Sequence, residues 1–141
     1  MIREIISDTD EITRATGIEL GKSSKKGDIF GITGGLGAGK TVLAKGIAEG
    51  LGIQEMITSP TFTLLEIYQG DKTLYHFDLY RIESQGELLN LNFEEYWNGS
   101  GISVIEWADK ASGLLPEDMI KIRLDYIDEK RRKITIEYPD N

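Results

Sequence analysis

A glycine-rich segment between an apolar run and a helical pattern constrains this chain more than any other feature. Residues 34–41 read Gly-Gly-Leu-Gly-Ala-Gly-Lys-Thr and satisfy the pattern G-x-x-x-x-G-K-[ST] in full. The apolar run 28–33 before it is typical of a buried strand, and apolar residues recur at helical spacing from Val42 to Leu51. The sequence therefore predicts strand, loop and helix in succession, which is the context in which this pattern binds phosphate.

The chemistry of this segment predicts a nucleoside-triphosphate site. Glycines let consecutive backbone N–H groups turn inward around phosphate oxygens, at a helix N-terminus whose dipole favours negative charge. We expect Lys40 to reach the β- and γ-phosphates and the Thr41 hydroxyl to ligate the accompanying Mg²⁺. The residues expected to bind the nucleotide here are Gly34, Gly35, Leu36, Gly37, Ala38, Gly39, Lys40 and Thr41.

Composition places the chain among ordinary globular proteins. With 141 residues, 40% hydrophobic and 28% charged, we expect residues 1–141 to form a single domain. The chain has no cysteine, which excludes a disulfide framework, a thiolate zinc site and a cysteine nucleophile. Because no apolar run reaches membrane-spanning length, we expect a cytoplasmic location and no membrane contact.

Charge argues against strong, direct binding of nucleic acid. The 16 basic and 24 acidic residues give a formal net charge of −8, which repels a polyanion unless a local basic patch overcomes it. The one basic cluster, at 130–133, follows Asp128 and Glu129 and lies between two alternating segments. This pattern favours a solvated hairpin turn over a nucleic-acid clamp.

The order of elements along the chain predicts a fold class. Strand patterns and helical patterns alternate compactly, without repeats or low-complexity segments. We expect a strand at 2–6, a helix after 8–11, a β-hairpin over 63–78, a helix over 83–97 broken near 90–92, a buried strand at 101–106 and a second hairpin over 119–138. These elements predict an α/β fold of three layers, like that of P-loop NTPases, with a mixed central sheet and β-hairpins.

Two carboxylates follow apolar strands and are candidates to assist the phosphate loop. Glu106 ends the apolar strand at 101–106, where ligands collect in open α/β sheets, and a Walker B carboxylate occupies such a position. Asp78 ends the other candidate strand and could be a second ligand of Mg²⁺ or of the attacking water. It could equally be a helix N-cap or pair with Arg81.

A short segment after the nucleotide-binding helix carries two hydroxyls around a proline. It reads Ser-Pro-Thr-Phe-Thr at 59–63. A hydroxyl in this region of phosphate-loop switches senses the γ-phosphate through Mg²⁺. The alternative is a turn that only leads into the first hairpin.

Four motifs in register resemble one family over most of the chain. They are the glycine loop at 34–41, Ser-Pro-Thr-Phe-Thr-Leu at 59–64, His-Phe-Asp-Leu-Tyr-Arg at 76–81 and Ile-Glu-Trp at 105–107. Their order and approximate spacing are similar to those of the TsaE (YjeE) family. Its members are small bacterial phosphate-loop ATPases required for making the threonylcarbamoyladenosine modification of tRNA next to the anticodon. They act with TsaD and TsaB, and TsaC supplies the threonylcarbamoyl-adenylate.

The resemblance implies roles for individual residues. Lys40 would contact the phosphates, Thr41 and Glu106 would hold Mg²⁺, and Asp78 would be an essential acid near the metal or the attacking water. Many members have Asp where this chain has Gly35. Because backbone N–H groups perform the phosphate binding, this departure puts little in doubt.

The resemblance also implies residues around the rest of the nucleotide. Thr61 would belong to a nucleotide-sensing loop, and Trp107 would lie near the nucleotide and report on it. No N/T-K-x-D guanine signature is present, which favours ATP over GTP. The family places the base between the N-terminal segment and the final hairpin, where the candidates are Asp10, Thr13, Lys130 and Arg131.

Two other functions are compatible with a phosphate loop. A small P-loop kinase of a nucleotide or metabolite would need an acceptor pocket and usually an arginine-bearing lid. None of the five arginines lies in an obvious lid insertion. A nucleotide-gated binding module would hydrolyse ATP only incidentally. The resemblance favours a Mg²⁺-dependent ATPase that is slow alone and supports multiple turnovers of a TsaD–TsaB complex.

Overall fold

The computed structural model describes residues 1–35, 37–57, 64–92, 94–97 and 99–139. These residues form seven strands, four α-helices and one short 3₁₀ helix. The strands are β1 (Ile2–Ser7), β2 (Ile29–Gly34), β3 (Leu65–Tyr68), β4 (Leu74–Asp78), β5 (Ile102–Glu106), β6 (Ile120–Tyr126) and β7 (Arg132–Glu137). The helices are α1 (Asp10–Ser23), α2 (Lys40–Gly50), α3 (Gln85–Leu91) and α4 (Glu94–Trp97), with the 3₁₀ helix at Ala108–Ala111. None of the helices in this part of the chain has the length and apolarity that crossing a membrane requires.

The strand that precedes the glycine loop lies in the middle of the sheet. The strand order is β1-β7-β6-β2-β5-β4-β3, and β2 pairs in parallel with both β5 and β6. β4 is also parallel to β5, whereas β3–β4, β6–β7 and β1–β7 are antiparallel. The mixed sheet and the two hairpins expected from the sequence are thus confirmed. The carboxyl ends of β2, β4 and β5 meet at one edge, where ligands bind in sheets of this kind.

Apolar side chains lie on both faces of the sheet and make it the middle of three layers. On one face Phe30 and Ile32 of β2 belong to a buried cluster with Leu43 and Ile47 of α2. On the other face a second cluster combines residues of β4 and β5 with α3, α4 and the 3₁₀ helix. Alternate residues of a strand point to opposite faces, so β5, which is buried at every position, is covered on both sides. The three-layer arrangement predicted from the sequence is confirmed.

Four glycines bring α1 and α2 into close contact. Gly17 and Gly21 of α1 face Gly46 and Gly50 of α2, each near the backbone of the opposite helix. A Cβ at Gly46 would lie 2.2 Å from the carbonyl oxygen of Arg14. A side chain therefore cannot be placed here without separating the helices. This contact fixes α1 against the helix that begins at Lys40.

Local sequence signals explain where several helices begin and end. The Thr9 hydroxyl accepts the Ile12 N–H over 3.2 Å and caps α1. Gly52 follows α2 with a φ of 78°, as is common after a helix. Asn92 has a φ of 53° between α3 and α4, so the expected break in this helical segment is present.

Candidate functional site

The glycine loop joins β2 to α2 in a conformation that suits glycine. Gly34, Gly37 and Gly39 have φ values of 149°, 77° and 102°, which residues with side chains rarely adopt. The loop ends at the N-terminus of α2, an 11-residue helix whose first N–H groups lack intrahelical acceptors. Such a turn can present several N–H donors to one anion. Leu36, also expected here, lies outside the described residues.

Lys40 is buried beneath its own loop. Its Nζ donates to the carbonyl oxygens of Gly34 and Gly35 over 2.8 and 2.7 Å. Nζ also lies 4.0 Å from the centre of the Trp107 ring, within the range of a cation–π contact. Burial lowers the pKa of the Lys40 ammonium below its ordinary value, while the Glu106 carboxylate nearby opposes that shift.

Thr41 and Glu106, far apart in sequence, meet through a direct hydrogen bond. The Thr41 hydroxyl donates to Oε1 of Glu106 over 2.9 Å. Glu106 is only 2% exposed although it ends a strand, because β5 is covered on both faces. Its Oε2 lies 2.6 Å from Nε2 of His76 in the neighbouring strand β4. Three side chains from α2, β5 and β4 therefore form one connected group.

Asp78 lies beside this group at the end of β4. Its Cα is paired with that of Glu106 in the parallel register of β4 and β5. Its Oδ1 accepts the N–H of Tyr80 over 3.0 Å. Burial raises the pKa of the Asp78 carboxyl, whereas that N–H favours its charged form and opposes the shift. A half-buried acid near Lys40 and Glu106 can bind a cation or accept a proton.

Trp107 directly follows β5, and its side chain packs over the site. Its φ of 59° is rare for a bulky side chain, and such strain is often found at functional sites. Its ring is 5.0 Å from that of Tyr80, so Trp107 links Lys40 to the segment after Asp78.

Three of the four residues suggested to bind the nucleotide base lie beside the glycine loop. Asp10, Thr13 and Lys130 line a cavity of about 190 Å³ together with Gly37–Gly39. Arg131 is not among the lining residues of this cavity, and its Nε donates to Oδ2 of Asp128 over 2.9 Å. The structure thus brings three of the four candidates to the loop.

Sequence reasoning missed three side chains around this site: His76, Tyr126 and Arg132. Tyr126 is so close to the loop that a Cβ at Gly37 would lie 2.9 Å from its hydroxyl. The Arg132 guanidinium lies 4.1 Å from the centre of the Tyr126 ring. Two signals were available, since His76 is two residues before Asp78 on one strand face and Tyr126 continues the alternation of Ile122 and Leu124.

The oxygen atoms of the site suit a cation that is also bound by the phosphates of a nucleotide. Thr41 and Glu106 offer a hydroxyl and carboxylate oxygens, the hard ligands that Mg²⁺ prefers. Among the described residues, no three or more His, Cys, Asp or Glu side chains form a group that could hold a metal ion. Mg²⁺ is usually bound by one or two protein carboxylates together with substrate phosphates and water. Thr41, Glu106 and Asp78 could therefore share Mg²⁺ with a nucleotide.

One expected element of the site lies outside the described residues. Thr61 and the remainder of the segment 59–63 fall in the gap between residues 57 and 64. Their suggested role as a nucleotide-sensing switch stays a prediction.

The fold and this site together define a class. This is an α/β protein with a P-loop NTPase-like fold. A parallel strand leads into the glycine loop, a helix begins at Lys40, and a buried acid ends the strand beside it in the sheet. The model of the family described as "Threonylcarbamoyl adenosine biosynthesis protein TsaE" matches residues 7–134. The chain belongs to the TsaE family.

Individual relatives agree with this assignment. A tRNA threonylcarbamoyladenosine biosynthesis protein TsaE from Treponema pallidum is 41% identical over 131 residues, which are 93% of this chain and 97% of the relative. The protein of that name from a Nostoc species is 45% identical over 131 residues, covering 89% of this chain and 80% of the relative. The crystal structure of Bacillus subtilis YdiB superposes with a TM-score of 0.87 at 32% identity, covering 100% of this chain and 88% of that one.

Proposed function

We propose that this protein binds ATP with Mg²⁺, hydrolyses it slowly, and acts with a TsaD–TsaB complex to support repeated cycles of tRNA threonylcarbamoyladenosine formation. Membership of the TsaE family supports the pathway. The hydrogen bond of 2.9 Å between Thr41 and Glu106 carries the proposal of a nucleotide site. It joins the first turn of the phosphate-loop helix to an acid at the end of the adjacent strand, as expected of Walker A and Walker B residues.

Each side chain of the site has a task in such a reaction. Lys40 would exchange the carbonyls of Gly34 and Gly35 for phosphate oxygens and place its charge on the β- and γ-phosphates. Thr41 and Glu106 would hold Mg²⁺, which when bound neutralises charge on the phosphates. Asp78 would orient the attacking water.

A preference for ATP over GTP agrees with the absence of a guanine signature from the sequence. The cavity that contains Asp10, Thr13 and Lys130 borders the glycine loop and is the candidate position for the rest of the nucleotide.

Reconstitution tests the proposal as a whole. Threonylcarbamoylation of tRNA by TsaC, TsaD and TsaB is followed over many cycles, with and without this protein, and ATP hydrolysis is measured in parallel. We expect slow hydrolysis by the protein alone, faster hydrolysis with TsaD–TsaB, and continued modification only when the protein is present. Equal yields over many cycles would refute the cellular role. A phosphorylated small-molecule product would instead indicate a kinase.

A further inference from the structure

The one histidine of the chain is buried beside the acid of the candidate site. His76 is 0% exposed, and its Nε2 is 2.6 Å from Oε2 of Glu106. The other carboxylate oxygen, Oε1, accepts the Thr41 hydroxyl over 2.9 Å. Each oxygen of this carboxylate therefore has its own partner, and the two contacts together fix its orientation.

The surroundings of the imidazole favour one position for its hydrogen. Nδ1 of His76 is buried and has no hydrogen-bond partner within the described part of the chain. A hydrogen on Nδ1 would leave a buried donor unpaired, whereas a hydrogen on Nε2 is donated to Glu106. The contacts therefore favour a hydrogen on Nε2, donated to Glu106.

Packing alone does not explain a histidine at this position. The Cα of His76 is paired with that of Val104, and Leu74, two residues away on the same face of β4, is buried as well. Leucine would fill such surroundings without leaving a buried ring nitrogen unpaired. The contact with Glu106 is what distinguishes histidine from an apolar residue here.

That contact would support a ligand of the cation. This inference rests on the proposed function, in which Thr41 and Glu106 would together hold Mg²⁺. Of the two side-chain hydrogen bonds that the described residues make to Glu106, the one from His76 comes from a residue that would not itself bind the cation. Loss of such a hydrogen bond behind a metal ligand typically costs ~10–100-fold in metal affinity or activity.

We propose that His76 is a positioning residue for Glu106. Its Nε2–H holds Oε2, so that Oε1 stays directed at Thr41 and at the cation that accompanies the nucleotide. His76 acts through Glu106.

The first test uses the unaltered protein. Because the chain has a single histidine, ¹⁵N–¹H correlation spectra of the ring report on His76 without assignment of other signals. We expect hydrogen on Nε2 both in the free protein and with Mg²⁺ and a non-hydrolysable ATP analogue. A ring without hydrogen on Nε2 in either state, or a ring signal unaltered in Glu106→Gln, would overturn the proposal.

The second test compares His76→Leu, which removes the donor, with His76→Gln, whose amide N–H reaches about as far as Nε2. We expect His76→Leu to bind ATP normally without Mg²⁺, to need more Mg²⁺ for hydrolysis, and to have a kcat lowered ~10–100-fold. His76→Gln should recover most of that loss. The role would be contradicted if His76→Leu hydrolysed ATP as fast as wild type. It would also be contradicted if both variants lost the same activity and their Tm values fell equally. If neither variant folds, the spectra of the unaltered protein decide.

Glu106→Gln, measured beside them, separates this inference from the proposed function. A wild-type protein that binds and hydrolyses no ATP refutes the proposed function. Hydrolysis that Glu106→Gln abolishes and His76→Leu leaves intact refutes only the role of His76.

Discussion

Lys40 is not free to meet a ligand in this structure. Its ammonium donates to two carbonyl oxygens of the loop and lies over the Trp107 ring. If the proposed function holds, an incoming phosphate would have to replace contacts that already exist, and the affinity for ATP would reflect the difference between the two sets. The same contacts hold Lys40 against the loop in this structure.

Replacing Lys40 by alanine should weaken ATP binding by at least tenfold. A charge-assisted hydrogen bond to phosphate typically contributes ~1.5–3 kcal/mol, and 1.4 kcal/mol corresponds to tenfold in affinity. Titration with a fluorescent ATP analogue measures the effect. Lys45→Ala is the matched control, because Lys45 is exposed on the same helix and carries the same charge. Unchanged affinity in Lys40→Ala would contradict the assignment of the phosphate site.

Asp78→Asn should lower ATP turnover and yet raise the Tm at neutral pH. Burial raises the pKa of the Asp78 carboxyl in the folded protein. The stability that this group contributes is fully present below its pKa in the unfolded chain, and it is lost as pH rises through its pKa in the folded protein. At neutral pH the charged form is therefore a cost that asparagine removes, while its oxygen can still accept the Tyr80 N–H.

Thermal unfolding of Asp78→Asn at several pH values checks this sign. The Tm difference from wild type should shrink as pH falls toward the ordinary aspartate range of ~4. Asp118→Asn, at an exposed aspartate, should change the Tm little. A lower Tm for Asp78→Asn at neutral pH would contradict the argument.

The site residues that lie in a local sequence motif could be predicted from the sequence. Their contacts with residues distant in the same chain could not. Lys40 and Thr41 follow from the glycine pattern, and Glu106 from its place at the end of an apolar strand. His76 was missed because its role depends on β4 lying beside β5, and a strand pattern does not state which strand is its neighbour. The functional roles of these residues stay predictions.

At the α1–α2 contact, replacing a helical glycine by alanine should destabilise the protein, although the same change usually stabilises a helix. Glycine to alanine in a helix usually stabilises by ~0.5–1 kcal/mol. At Gly46 the new Cβ would meet the Arg14 carbonyl at 2.2 Å, and overpacking of this kind costs ~1–3 kcal/mol. Because backbone atoms cannot move aside as a flexible side chain can, we expect Gly46→Ala to be destabilised.

Urea unfolding measures this difference against a glycine with open space. Gly86→Ala in α3 is the control, because the nearest atom to its Cβ would be Ser84 Oγ at 3.7 Å. We expect Gly86→Ala to be as stable as wild type or more so. A stable Gly46→Ala would show that the two helices can separate without loss.

Most elements could be predicted, but their order in the sheet could not. Alternation and turn residues indicated both hairpins, and Asn92 ends α3 near the expected break. Nothing local in β6 indicates that it pairs in parallel with β2, because that pairing joins segments some ninety residues apart. The position of Tyr126 beside the loop depends on this register and was therefore missed.

Over the whole molecule, charge and its distribution predict weak binding of free tRNA. The net charge is −8, and the basic cluster of the last hairpin turn is largely engaged within the protein. Arg131 pairs with Asp128, Lys133 lies 3.4 Å from Glu4, and Arg132 stacks on Tyr126. A patch whose charges already have partners releases few counterions from a nucleic acid, and this release provides most of the salt-dependent affinity.

We therefore expect the isolated protein to bind tRNA no more tightly than the ~10⁻⁴–10⁻⁶ M typical of non-specific binding at physiological salt. Fluorescence anisotropy of labelled tRNA, titrated with the protein at several salt concentrations, measures this affinity. Asp128→Asn should bind somewhat more tightly at low salt, because it removes one negative charge and the ion pair of Arg131. If TsaD–TsaB provides the tRNA contacts, adding the wild-type protein to that complex should leave the salt dependence of tRNA binding unchanged. Nanomolar binding by the isolated chain would instead mean that it contacts tRNA directly in the modification reaction.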